Sequence, residues 1–218
     1  MAYTEWDMTA TRSGSSRTDK FQRLFALAAG QAGYFTAAQA RGVGYSARSL
    51  VHHVAAGHVE RKSRGFYRLG GVPASAHEDI VAAWLKLAPR HAVVSHDTAL
   101  ALYELAPSRS REIHLTLPRG HRPRTAQSSP ALALHTTTVS LRRDEVTTRF
   151  GVQLTSPTRT IADIAEIGAD PSVVIAAAGR AIATGLASPR ELRAAVKRRS
   201  ARVRQLVARA ITEAELRA

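Results

Sequence analysis

Between residues 19 and 69 the chain carries helix starts and glycine stops spaced so closely that only short helices and a tight hairpin fit between them. Phe21, Leu24, Phe25 and Ala28 recur at i, i+3, i+4 and i+7, the period of one helix face, and Gly30 and Gly33 end the pattern. Thr36-Ala-Ala-Gln39 is a capping box, in which hydroxyl and amide side chains each satisfy a backbone N–H left over at a helix start. Gly42-Val-Gly44 closes that second helix. Ser46 caps a third, whose apolar stripe reads Ala47, Leu50, Val51 and Val54, with Gly57 beyond its end. Residues 58–61 and 65–69 then read as two strands joined around Lys62-Ser63-Arg64. Helix, helix, tight turn, helix, hairpin is the order of a winged helix-turn-helix.

The stripe decides what the third helix shows to its surroundings. At about 100° per residue, Ser49 and His52 lie opposite it, with Ser46, Arg48 and His53 on the flanks. Arginine, serine and histidine suit base edges and phosphates in a major groove that admits one helix. No acidic residue occurs from Thr36 to Val59, where a phosphate-facing surface tolerates none. On the hairpin, Arg61, Lys62, Ser63, Arg64 and Arg68 are expected to meet flanking phosphates, contacts that position a protein without reading sequence. The competing view is an ordinary solvated face on a basic protein.

Charge supports the first view through its distribution. The formal net charge is +14, with +6 in residues 1–70 and another +6 in residues 188–218. A surplus of this sign favours an anionic partner through counterion release and steering. Arginine outnumbers lysine 27 to four, a skew that a GC-rich coding sequence also produces, but a coding bias spreads charge evenly and this surplus sits at the two ends.

Residues 1–18 lack an apolar period and are expected to form a flexible tail, followed by a DNA-binding domain over 19–70. Gly70-Gly71-Val72-Pro73 reads as a linker to a second domain over 75–218. There Ser75-Ala-His-Glu78 is a second capping box, and Ser95 is expected to cap a helix running to about Leu105. Ile113, Leu115 and Leu117 alternate with polar residues as in a half-buried strand, and strands are also expected at Leu132/Leu134 and at Phe150/Val152/Leu154. Helices are predicted at 157–167, 171–184 and 189–216, each opened by a Ser-Pro or Asp-Pro pair. The fold class is therefore α+β: a winged helix-turn-helix, then a mixed α/β domain with a small sheet flanked by helices and a basic C-terminal helix. That last helix buries Leu192, Val196, Val203 and Leu206 and carries Arg193, Lys197, Arg198 and Arg202 outward as a second basic surface. Phosphate contact, protein contact and plain solvation remain three readings of that surface.

Catalytic templates fail on residues. The chain has no Cys, no His-Glu-x-x-His, no phosphate-binding Gly-x-x-x-x-Gly-Lys-Ser/Thr, no Gly-x-Ser-x-Gly and no Gly-x-Gly-x-x-Gly. His91 with His96-Asp97 fits no familiar ligand spacing and reads as a solvated helix cap. Asp163 and Glu166 read as an exposed pair beside Arg159. No catalytic residue, metal or cofactor is expected. With no apolar run of membrane-spanning length and no signal peptide, the expected setting is the cytoplasm, away from membranes.

The runs Gly33-Tyr-Phe-Thr-Ala-Ala-Gln-Ala40, Tyr45-Ser46 and Arg64-Gly-Phe-Tyr-Arg-Leu69 resemble the AbiEi family, antitoxins of bacterial type IV toxin–antitoxin systems. Ser95-His-Asp-Thr-Ala-Leu-Ala-Leu-Tyr-Glu-Leu105, Ile113-His-Leu-Thr-Leu-Pro118 and Val152-Gln-Leu-Thr-Ser-Pro-Thr-Arg-Thr-Ile-Ala-Asp163 are similar to that family too. The resemblance implies an N-terminal winged helix that binds inverted repeats of double-stranded DNA in its own promoter, and a C-terminal domain that counters a nucleotidyltransferase-like toxin. By position it puts DNA contact on Ser46, Arg48, Ser49, His52, Lys62 and Arg64. The expected protein is a transcriptional autorepressor and antitoxin that dimerises on DNA. The alternatives are a stand-alone repressor whose second domain senses a small molecule, and a degenerate nuclease-associated protein, although the acidic motifs of a nuclease are missing.

Overall fold

The computed structural model describes residues 14–87, 91–108, 110–121 and 131–216, with side chains from residue 18 onward. The chain divides into two compact units, Met1–Glu78 and Asp79–Ala218.

The first unit holds α1 (Gly14–Ala29), β1 (Tyr34–Thr36), α2 (Ala37–Gly42), α3 (Ala47–Ala55), β2 (Val59–Ser63) and β3 (Phe66–Leu69). Of the tail expected over 1–18, residues 1–13 lie outside the described residues, and 14–18 instead form the first turns of α1. The apolar period locates the part of a helix that packs, and Gly14-Ser15-Ser16-Arg17 holds no apolar residue to extend it. Thr36 Oγ1 accepts from Gln39 N at 3.2 Å and Gln39 Oε1 accepts from Thr36 N at 2.8 Å, so the predicted capping box forms. Ser46 Oγ accepts from Ser49 N at 3.0 Å and caps α3 as expected.

Sequence reasoning missed β1. It pairs antiparallel with β3, Tyr34 opposite Arg68 and Thr36 opposite Phe66, to give a sheet of order β1-β3-β2. Two cross-strand aromatic stacks, Tyr34–Phe66 at 5.2 Å and Phe35–Tyr67 at 5.6 Å, hold this pairing. Gly33 feeds the strand with φ +85°, and a Cβ there would stand 3.1 Å from the Cβ of Val72. The hairpin turns at Arg64–Gly65 rather than around Lys62-Ser63-Arg64, so Lys62 and Ser63 belong to β2. Gly65, at φ +71°, supplies the left-handed residue that a tight turn needs. Leu24, Ala28, Phe35, Ala40, Tyr45, Leu50, Val59 and Leu69 form the core.

The second unit holds α4 (Glu78–Leu87, from its second residue), β4 (Val93–Val94), α5 (His96–Leu102), β5 (Ile113–Pro118), β6 (Leu132–Thr137), β7 (Val146–Arg149), β8 (Val152–Thr155), α6 (Pro157–Glu166), α7 (Pro171–Ala183), α8 (Pro189–Val196) and α9 (Ala201–Glu215). Its sheet runs β6-β5-β4-β8-β7 and is mixed: β5 pairs parallel with β6, β4 parallel with β8, and the other two pairs are antiparallel. The fold is α+β with small sheets and helices, as expected. Val94, Leu115, Leu117, Leu154, Ile161, Ile164, Val203, Val207 and Ile211 are completely buried.

Three local expectations are corrected. The single helix predicted over 189–216 is two, α8 and α9, because Ser200 Oγ accepts from Val203 N and starts a new helix. The Ser75 capping box does not close: the Glu78 carboxylate accepts from the Tyr34 hydroxyl at 2.7 Å instead of turning back to the cap. Ser95 makes no cap bond, for its hydroxyl is buried among other polar groups.

Candidate nucleic-acid interface and a histidine cluster

α3 buries Leu50 and half-buries Ser49, His53 and Val54, while Ser46, Ala47, Arg48, Val51, His52 and Ala55 are exposed. Val51, expected in the packed stripe, is 68% exposed. At about 100° per residue the outward face therefore centres on Arg48 and Ala55 and is turned by roughly 60° from the one expected. The stripe 47, 50, 51, 54 and the stripe 50, 53, 54 share Leu50 and Val54, and histidine is apolar enough in body to take the inner place. His53 lies with its ring 5.5 Å from Tyr45 and 5.8 Å from His58, on the packed side. Ser46 and Ser49 are joined through the cap bond. Of the expected reading set, Arg48 and His52 stand outward on the helix, and Val51 joins them unforeseen.

On the hairpin, Arg61, Lys62, Ser63 and Arg64 are exposed. Lys62 Nζ pairs with Glu60 Oε1 at 2.7 Å, a solvent-facing ion pair of small worth that a phosphate can replace. Arg68 differs from the other four. Its side chain is 17% exposed, donates to Val72 O at 2.9 Å, lies 3.7 Å from Glu78 Oε2 and covers the Tyr34 ring at 5.8 Å. It ties β3 to the segment that follows and is not presented outward.

The basic C-terminal region also divides. Lys197 and Arg198 are exposed, and Arg193 faces solvent beside Glu215 at 3.5 Å. Arg202 is exposed, but its Nη2 donates to Ala165 O and Glu166 O, both at 2.9 Å, and so satisfies carbonyls at the end of α6. Arg199 pairs with Asp163. Asp163 itself is buried at 5% rather than exposed, and also accepts from Arg159 Nε at 2.9 Å, while Arg159 Nη1 reaches Glu145 Oε1 at 3.1 Å. What the spacing reads as a surface pair is the centre of an internal ion network.

A second polar cluster was not foreseen at all. His96, buried at 4%, is no solvated cap; it meets His114, buried at 8%, and the half-buried His135. His91 takes no part and stacks on His121 at 5.2 Å. The His96 and His135 rings stack at 3.5 Å, and His114 Nδ1 lies 3.0 Å from His135 Nε2. One ring nitrogen from each of the three falls within 4.8 Å of the others. Burial, the neighbouring histidines, and then Arg159 and Arg199 push the His96 pKa down to about 3. Burial and His114 lower that of His135 as well, against the pull of Asp163, Asp97 and Glu112. The signal missing from the sequence is the parallel β5–β6 pairing, which sets His135 opposite Thr116, one pleat along from His114.

Residues 22–70 match the model of a family described as a transcriptional regulator, AbiEi antitoxin. The resemblance to AbiEi antitoxins therefore stands over the segment that carries α3 and the hairpin. A crystal structure of the RV2827C protein from Mycobacterium tuberculosis is similar over 89% of this chain and 77% of that one, with a TM-score of 0.57 and 12% identity. At that identity the likeness is one of fold alone. No curated protein matches the chain. Among the described residues, no helix is long and apolar enough to cross a membrane.

Proposed function

We propose that the chain is a DNA-binding antitoxin and transcriptional autorepressor, without catalysis of its own, whose residues 19–70 form a winged helix-turn-helix and whose residues 75–218 form the antitoxin domain. The observation that carries this is the outward face of α3: Arg48, Val51 and His52, with no carboxylate on the helix, followed by a hairpin bearing Arg61, Lys62 and Arg64. Both lie inside the span that matches a regulator family. Two copies insert their α3 helices into successive major grooves about 34 Å apart, at inverted repeats in the promoter. Arg48 and His52 read base edges, Val51 meets a thymine methyl, and the hairpin cations neutralise phosphates. Ser46 and Ser49 support the helix start, and Lys197, Arg198 and Arg193 offer a further basic surface. The C-terminal domain counters a nucleotidyltransferase-like toxin in the cytoplasm.

The test is binding to the chain's own promoter by fluorescence anisotropy across a salt series. Neutralising six to eight phosphates per molecule gives a slope of about −5 to −7 in log affinity against log salt. R48A/H52A is expected to reduce preference for the promoter over random DNA by ~1–3 kcal/mol per lost base contact. K62A/R64A is expected to weaken both duplexes alike. A slope near zero, or equal behaviour of the two variants, overturns the reading. Co-expression with the product of an adjacent nucleotidyltransferase gene tests the antitoxin role: growth is rescued, or it is not.

One observation favours the stand-alone repressor. A cavity of about 730 Å³ opens in the second unit, lined mainly by apolar residues that include Leu105, Pro107, Ile175, Ile182 and Ala214. A small apolar effector held there predicts ligand-dependent release from DNA with no toxin gene nearby.

A further inference from the structure

We propose that His96, His114 and His135 hold one first-row divalent ion, Zn²⁺ foremost, with the fourth coordination position open. The inference stands independently of DNA binding.

The three side chains converge from separate elements. His96 opens α5, His114 sits on β5, and His135 sits on β6. Convergence is enforced by pairing: β5 and β6 run parallel in register, and Ser95 N donates to His114 O at 3.0 Å, which brings the start of α5 over the same sheet face. His96 takes up φ +51°, a left-handed conformation that a β-substituted residue adopts only when its surroundings impose it.

Hydrogen bonding leaves the cluster incomplete. His114 Nδ1 and His135 Nε2 share one proton between them, and His114 Nε2 is buried with no partner among the described residues. Whichever tautomer is drawn, a buried ring nitrogen of His114 is unmet, and buried polar groups are nearly always paired. An ion that takes a ring lone pair answers that deficit. His96 is prepared for the same role, with its Nδ1 2.9 Å from Ser95 Oγ, which in turn accepts from Thr116 Oγ1 at 2.8 Å. A hydrogen bond to one ring nitrogen fixes the tautomer that offers the other, the usual support of a ligating histidine.

The donor set selects the ion. Three imidazoles with no thiolate and no carboxylate suit zinc and its borderline neighbours, and do not suit calcium or magnesium, which take oxygen. Three protein ligands with a free fourth place is the arrangement of an accessible zinc rather than a closed structural one. The nearby cations do not forbid it, because Arg159 and Arg199 are both paired with Asp163, and Arg159 also with Glu145. The half-buried His135 leaves a way in. The rings of His96 and His135 are stacked within 14° of parallel, so their lone pairs run side by side; an ion draws those rings out of the stack.

The experiment uses the full-length, tag-free chain, stripped with EDTA and titrated with Zn²⁺ against a chromophoric chelator. One equivalent is expected to bind per chain, and Co²⁺ in its place is expected to give the intense visible bands of a four-coordinate site. H135Q and H114Q are each expected to weaken binding at least about tenfold, and H91Q to leave it unchanged. Because H114Q alters a buried position, the wild-type chain is also followed by imidazole ¹H–¹⁵N NMR: Zn²⁺ shifts three of the nine histidines and leaves six in place. No stoichiometric binding, binding indifferent to H135Q, or shifts at His91 and His121 instead overturns the proposal.

Discussion

Replacing Asp163 by alanine removes the shared anion of two arginines that come from different parts of the second unit. Side-chain exposure is 7% for Asp163, 16% for Arg159 and 23% for Arg199, so water takes over little of the lost interaction. Removing one partner of a buried pair costs about 3–5 kcal/mol, because the charge left behind stays desolvated. The two arginines are not stranded equally. Arg159 keeps Glu145 at 3.1 Å, whereas among the described residues Arg199 keeps only Glu166 at 3.7 Å. That retained contact puts the expected loss at the lower end, about 3 kcal/mol, or roughly 6–12 °C in melting temperature for a chain of this size. Urea unfolding followed by far-UV circular dichroism and by Trp84 fluorescence, in a Trp6→Phe background, reads it out. The decisive comparison is D163A/R199A: removing the anion together with its more dependent cation is expected to cost less than the two single losses added, by about 1–2 kcal/mol. D163A within about 1 kcal/mol of the parent, or strict additivity of the pair, refutes the network as a stabilising unit.

Val51→Ala is expected to lower affinity for promoter DNA by ~1 kcal/mol or less while leaving the urea midpoint unchanged, since the side chain is exposed; Leu50→Ala, two per cent exposed on the same helix, is expected to lose about 2–5 kcal/mol of stability. A Val51→Ala midpoint that falls with that of Leu50→Ala refutes the face assignment. For the EDTA-treated chain, the folded His96 pKa of about 3 lies below its ordinary value, so the unfolded state binds the extra proton between them. Stability is therefore full near neutral pH and falls as pH drops toward 3, by up to about 1.4 kcal/mol per pH unit for each such proton, with His135 acting in the same direction. Burial, the neighbouring histidines, and Arg159 and Arg199 all disfavour the charged form of His96, and a urea midpoint flat from about pH 7 to about pH 5 contradicts this. Ser200→Ala is expected to cost about 1 kcal/mol by uncapping α9, and no change points to a continuous helix instead.

What was legible in the sequence was local. The Thr36 box, the Ser46 cap and the helix starts at Ser156, Asp170 and Ser188 form as written, because each joins residues two or three apart. The strands β1, β4 and β7 were not legible: two to four residues long, they owe their existence to partners that no period announces. The outward side of α3 was misjudged because Val51 and His53 compete for one inner place, and neighbouring elements decide which wins. Arg68 looks like a surface cation in a string of letters; whether a guanidinium faces a carbonyl or a solvent shell depends on partners distant in the chain. The histidine cluster needed the β5–β6 register, a fact with no local trace.

The forked bonding inside the second unit bears on the chain's lopsided choice of basic residue. Arg159 spans Asp163 and Glu145, Arg199 spans Asp163 and Glu166, and Arg202 bridges two successive carbonyls of α6. A planar head with five donors manages such two-handed grips, and a compact ammonium does not. At these three places lysine is no substitute, whatever the base composition of the gene, and part of the positive surplus near the C-terminus is mortar between helices.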